Sequence, residues 1–224
     1  MASTHPAAVL FDMDGTLVDS EKLWDIGLHE LARRYGATLS DAGRLAMVGT
    51  DMPRTMELLV ADLGQPDLDT EEASAWLGAR VAELFVTDLA WRPGALALLR
   101  ATRQAGIPTA LVTSTARSLV EVALDTLGRD SFDVVVCGDE VPATKPDPEP
   151  YLIAARLLGV PIGRCVAIED SRTGVASALA AGAAVLGVPS SGPIDPAEGL
   201  RMLDTLDGVD LPFLAGLSAA VPTR

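Results

Sequence analysis

The chain has 224 residues, 49% of them apolar and 21% charged, which suits one large folded unit or a unit carrying a small lobe and excludes wholesale disorder. Only 17 Lys and Arg stand against 31 Asp and Glu, a net charge of −14, so neither nucleic acid nor an anionic membrane surface is expected as the main partner. Two cysteines, Cys137 and Cys165, make neither a disulfide scaffold nor a four-ligand zinc site. Asn is absent, so there is no N-glycosylation acceptor. The start lacks the basic and apolar stretches of a signal peptide, and the cytoplasm is the expected compartment.

In chain order, the first apolar run is Ala7–Phe11. From about Glu21 to Leu89 no comparable run follows, and three or four helices are expected there. Trp24, Leu28, Leu31 and Tyr35 recur at helical spacing. Thr50 or Asp51 with Pro53 starts another helix, and a third is acidic in its first turn, at Glu71 and Glu72, and carries Trp76, Val81 and Leu84. Pro93–Gly94 returns the chain to the main unit. Four more apolar runs follow: Ala110–Val112, Val134–Val136, Cys165–Ile168 and Ala184–Val188. None alternates polar with apolar, the pattern of parallel strands covered on both faces. Ser114 or Thr115, Asp147 with Pro148, and Ser171 are placed to cap the helices between these runs, which close at Gly128, Gly159 and Gly182. The charge-free stretch Thr173–Ile194 is divided by Gly and Pro into helix, strand and loop and is not a membrane span. The expected fold is α/β, a doubly wound (Rossmann-like) parallel sheet over residues 1–19 and 90–224, with an all-helical lobe at 20–89 inserted after the first strand.

Ligands of such sheets bind beyond the carboxyl ends of the strands. The residues there are Asp12, Asp14, Gly15 and Thr16, then Thr113 and Ser114, then Lys145, then Glu169 and Asp170. Each alone has an ordinary use as a cap, a turn or a surface charge. Their coincidence at four strand ends is hard to explain by capping. Several acids crowded together need a cation, and oxygen ligands favour Mg²⁺. One of the two aspartates can then attack phosphorus and form an aspartyl-phosphate, while the other protonates the leaving oxygen and later deprotonates water. Thr113 and the amides after it suit phosphate oxygens, and Lys145 supplies a compensating point charge.

The runs VLFDMDGTLVDS, LVTST, K-P-D-P and I-E-D-S-x-x-G, in this order, resemble the four motifs of the haloacid dehalogenase superfamily, and the helical insert resembles its cap domain. The resemblance implies Asp12 as nucleophile and Asp14 as general acid/base whose backbone carbonyl also meets Mg²⁺. It implies Thr113, Ser114 and Lys145 as phosphate-binding residues, Asp170 as a metal ligand, and Glu169 as a direct or indirect one. The implied activity is hydrolysis of a small phosphate monoester, a sugar or polyol phosphate, by a monomer or weak homodimer. The rival within the family is a phosphomutase similar to β-phosphoglucomutase, which places a histidine where this chain has Trp24; His29 lies too far along to replace it. A non-enzymatic phospho-ligand binder would typically lose Asp12, Asp14 or Lys145, and all are present. Substrate choice is expected in the lobe, at Trp24 as an aromatic face and at Arg54 as a cation. Trp24 also fits the lobe's core, and Arg54 sits in a helix's first turn, where the dipole disfavours it.

Overall fold

The computed structural model describes residues 5–220; the outermost residues of the expected main unit, 1–4 and 221–224, lie outside them. Six parallel strands, β1 (Ala8–Phe11), β2 (Thr109–Val112), β3 (Val134–Val136), β4 (Cys165–Glu169), β5 (Ala184–Gly187) and β6 (Leu200–Met202), form one sheet in the order β3-β2-β1-β4-β5-β6. Strand β6 is the one the apolar runs did not announce: it is a three-residue edge strand with an exposed Arg201 at its centre. The order reverses between β1 and β4, which opens a crevice at their carboxyl ends.

Successive residues of β1 alternate between two cores. Val9 and Phe11 pack on one side, Ala8 and Leu10 on the other, and all four are fully buried. Burying a side chain such as Phe11 contributes about 1.5–3 kcal/mol, and its ring meets Phe132 edge-on at 6.5 Å. Helices α7 (Glu149–Leu158) and α8 (Arg172–Ala181) cover the Ala8–Leu10 side through Tyr151, Ala154 and Ala178. On the opposite side lie α5 (Ala95–Gln104), α6 (Arg117–Leu127) and α9 (Leu211–Ala220). Thr173–Ile194 resolves into α8, β5 and a loop, and no helix among the described residues is long and apolar enough to cross a membrane.

The insert after β1 holds four helices: α1 (Glu21–Arg34), α2 (Asp41–Ala46), α3 (Met52–Leu63) and α4 (Thr70–Asp88). Leu28 and Leu31 of the α1 stripe are buried, with Trp24 and Tyr35 half-buried beside them. Asp51 caps α3 by accepting a hydrogen bond from the Arg54 amide at 2.9 Å, and Asp69 caps α4. Outgoing and returning chain are stitched together where the insert begins and ends: Asp19 N donates to Ala90 O and Arg92 N to Leu17 O, both at 2.8 Å.

Two expected caps are displaced. Helix α6 starts at Arg117 with no cap from Ser114 or Thr115; the Asp139 carboxylate, from the next loop, accepts from the Arg117 amide at 2.9 Å instead. The hydroxyls are engaged elsewhere, Ser114 on the Gly49 carbonyl of the insert and Thr115 on Asp14. Helix α7 begins one residue late, with Pro148 at its N-cap and Asp147 Oδ1 accepting from the Glu149 amide.

Candidate active site

At the β1/β4 crevice a buried lysine is clasped by acids from two strands. Lys145 Nζ donates to Asp12 Oδ1 at 2.7 Å, to Glu169 Oε1 at 2.6 Å and to the Val112 carbonyl at 2.9 Å, drawing the ends of β1, β4 and β2 together. Burial by itself would lower its ammonium pKa, but the two carboxylates outweigh that and hold it above the ordinary lysine range. The Glu169 carboxylate is saturated: Lys145 and the Tyr151 hydroxyl donate to Oε1, the Asp170 amide and Ser171 hydroxyl to Oε2. It packs so closely on α8 that a Cβ at Gly174 would lie 2.0 Å from its carboxylate atoms.

Asp12 is different. Its Oδ2 is buried with no hydrogen-bond partner, an arrangement that burial makes costly. Burial, and then the neighbouring Glu169 carboxylate, push the Asp12 carboxyl from 3.8 up to about 8, against the pull of Lys145. Asp170 is raised too, by burial and then by Asp12 and Glu169. It is aimed by Thr16 (3.4 Å to Oδ1) and by the Ser190 hydroxyl on Oδ2. Gly15, at φ 74°, passes so near that a Cβ would lie 2.0 Å from Asp170 Oδ2. Oxygens of Asp12, Glu169 and Asp170 all lie within 4.8 Å of one another. Three buried carboxylates with an unpartnered oxygen among them fit a hard, oxygen-seeking divalent cation.

Asp14 stands apart from that cluster. Its Oδ1 accepts from the Ser20 hydroxyl (2.7 Å) and Trp24 Nε1 (3.0 Å); its Oδ2 accepts from Thr115 (2.7 Å) and Thr113 (3.3 Å). Four donors from two segments, the start of α1 and the loop after β2, thus point Asp14 into the space between sheet and insert. That space is a pocket of about 60 Å³, roughly what a few waters would fill.

Trp24, Thr113, Ser114 and Lys145 all line this pocket with the two aspartates and Asp170; Arg54 does not. Its side chain is exposed and pairs with Glu57 at 2.7 Å along its own helix. The structure therefore does not bring Arg54 together with the other expected site residues, because its side chain points along the surface of α3 rather than inward. Arg54→Ala is now expected to leave kcat/KM within about twofold and stability within about 0.5 kcal/mol; steady-state kinetics and a thermal melt check this. Besides Lys145, the pocket is lined by the cation of Arg44 of α2, bound to Glu21 at 2.7 Å and to Asp25 at 3.2 Å. Burial raises the Glu21 carboxyl, and Arg44 opposes the rise. Sequence reasoning also passed over Thr115, Ser20 and Tyr151. The first two close the quoted runs LVTST and VLFDMDGTLVDS, whereas Tyr151 lies outside every quoted run.

A Rossmann-like sheet with a helical cap, and an Asp12–Lys145–Glu169–Asp170 cluster at its reversal point, define a hydrolase of the haloacid dehalogenase type. The model of the haloacid dehalogenase-like hydrolase family matches residues 6–182, and the chain belongs to that family. It is 34% identical over 183 residues to hexitol phosphatase A of Escherichia coli, spanning 80% of this chain and 81% of that protein. It is 32% identical to validoxylamine A 7'-phosphate phosphatase of Streptomyces hygroscopicus, spanning 88% and 91% respectively. Among solved structures it resembles a variant of CbbY from Rhodobacter sphaeroides in complex with xylulose-(1,5)bisphosphate. The TM-score there is 0.79 at 28% identity, covering 91% of this chain and 96% of that one. With a β-phosphoglucomutase from Clostridium difficile it shares the fold, at TM-score 0.82 and 19% identity. The chain is accordingly a phosphoric monoester hydrolase.

Proposed function

We propose that the chain hydrolyses the phosphate monoester of a small sugar or polyol, with Mg²⁺ and through a phosphorylated Asp12. The observation that carries this is the unpartnered Asp12 Oδ2 beside a lysine-clasped acid cluster. Lys145 holds Oδ1, which leaves Oδ2 to attack phosphorus while the bond to the leaving oxygen breaks. Asp14, oriented by its four donors, gives that oxygen a proton and then takes one from the water that releases phosphate. Thr113 and Ser114 with the amides after β2 hold the phosphoryl oxygens. Asp12 and Asp170, with the Asp14 carbonyl, are the proposed cation ligands, and Glu169, whose oxygens are occupied, positions Lys145 instead. A bound Mg²⁺ supplies charge stabilisation of the transferring phosphoryl group. Residues 20–89 are read as the cap and 1–19 with 90–224 as the core. The buried, unpaired cysteines agree with a reducing, cytoplasmic compartment. A monomer or weak homodimer is proposed.

Sorbitol 6-phosphate should release one phosphate per molecule consumed. EDTA should abolish turnover, Mg²⁺ should restore it, and Ca²⁺ should bind while supporting little. Full activity after rigorous chelation would refute the metal site. Conversion of β-glucose 1-phosphate to glucose 6-phosphate faster than to free phosphate would replace the reading by a mutase.

A further inference from the structure

The cap end of the pocket has an unusual charge arrangement. Among the described residues lining it, the cations are Lys145, committed to Asp12 and Glu169, and Arg44. Arg44 is little exposed, at 13%, and faces two acids: Nη2 donates to the Glu21 carboxylate at 2.7 Å and to the Glu21 carbonyl at 3.0 Å, and Nε donates to Asp25 at 3.2 Å. Its charge is therefore matched or exceeded, while Nη1 keeps N–H donors that none of these contacts uses. Beside it stand the indole of Trp24, Met47 and Met52, with the hydroxyls of Thr50 and Thr55. A neutralised guanidinium still donates hydrogen bonds directionally, but it offers little net attraction to a second anion.

Resting on the proposed hydrolysis of small phosphate esters, we infer that the Glu21–Arg44 pair selects esters whose leaving group is uncharged and hydroxyl-bearing. It discriminates against those carrying a second anionic group. An added carboxylate or phosphate meets Glu21, with Arg44 already matched by Glu21 and Asp25 and no further free cation among the described residues to offset it. A hydroxyl in the same place meets the spare Nη1 donors and the Glu21 oxygens as acceptor. An apolar sugar face lies against Trp24 and the two methionines.

A matched pair of probes tests this: sorbitol 6-phosphate and 6-phosphogluconate, which differ at the far carbon by a hydroxymethyl group against a carboxylate. Calorimetric Kd values are measured with Mg²⁺ on the Asp12→Asn chain, so that the readout is independent of turnover. The sorbitol ester should bind at least about tenfold more tightly. Adding Glu21→Gln uncovers much of the Arg44 charge and should shrink that preference by about five- to tenfold. Adding Arg44→Gln as well removes the uncovered charge and should return the preference to its original side. General damage to the pocket weakens both ligands and does not produce a loss followed by a recovery. A preference within twofold, binding of neither ester, or a double variant that fails to recover would overturn the inference. Hydrolysis of sorbitol 6-phosphate by the unaltered chain is scored separately. Its absence would sink the proposed function, and a flat binding preference in an active hydrolase would sink this inference alone.

Discussion

Asp12→Asn is expected to lower kcat by roughly four orders of magnitude or more while leaving the fold intact. The amide is nearly isosteric, Lys145 keeps its contacts with Glu169 and the Val112 carbonyl, and Asp12 Oδ2 makes no hydrogen bond that could be lost. The pH dependence adds a second signature in chelated buffer. The folded chain holds the Asp12 proton up to about pH 8, whereas the unfolded chain releases it near 3.8. Across that window the native state binds more protons, so the stability of the unaltered chain falls as pH rises, and it levels off above about 8. Asn has no proton to release and escapes that loss. Thermal melts from pH 5 to 8 should therefore show the variant gaining on the unaltered chain as pH rises. Turnover within tenfold of the unaltered chain would end the aspartyl-phosphate mechanism, and a variant whose melting temperature stays level with or falls relative to that of the unaltered chain as pH rises would contradict the burial argument.

Lys145→Met should have the largest effect on stability. The methionine fills the volume and keeps the contact with the Tyr151 ring, over which the ammonium lies at 5.2 Å. It leaves the Asp12 and Glu169 carboxyl groups buried together without their cation. Breaking a buried pair in this way costs about 3–5 kcal/mol because the remaining charge is uncompensated. Turnover should be lost as well, since Asp12 is then no longer held. Added Mg²⁺ should raise the melting temperature of this variant more than that of the unaltered chain, because a divalent cation is then the sole remaining counter-charge for the cluster. Denaturant titration with and without Mg²⁺ measures both effects. A loss below about 1 kcal/mol would mean that Lys145 is a solvated surface charge after all, against its 3% side-chain exposure.

Much of this molecule is legible in its linear order. Five of the six strands are built on continuous apolar runs, with Thr109 and Glu169 at the ends of β2 and β4, because a strand covered on both faces admits no polar alternation. The glycines after α6, α7 and α8 mark those helix ends; at Gly159 and Gly182 the backbone takes a left-handed turn that a side chain resists. Asp12, Lys145, Glu169 and Asp170 are legible as site candidates because parallel topology sends every strand end to one rim. Strand β6 escaped notice because an edge strand needs only one neighbour and tolerates an exposed Arg201.

What the chain order could not decide is which partner each polar group takes. Thr115 and Ser114 look like caps of α6, but tertiary packing gives their hydroxyls to Asp14 and the Gly49 carbonyl and brings Asp139 to cap the helix. The sequence singles out Arg54 as the cap cation and gives no sign of Arg44. Helix orientation turns Arg54 outward to Glu57 and Arg44 inward to Glu21, 23 residues away. The sequence by itself determines the fold class and the acids of the rim, through periodicity and strand order. Only the tertiary structure decides how those acids divide their partners, since a hydrogen bond or a neutralised charge depends on distances that residues far apart in the chain acquire on folding.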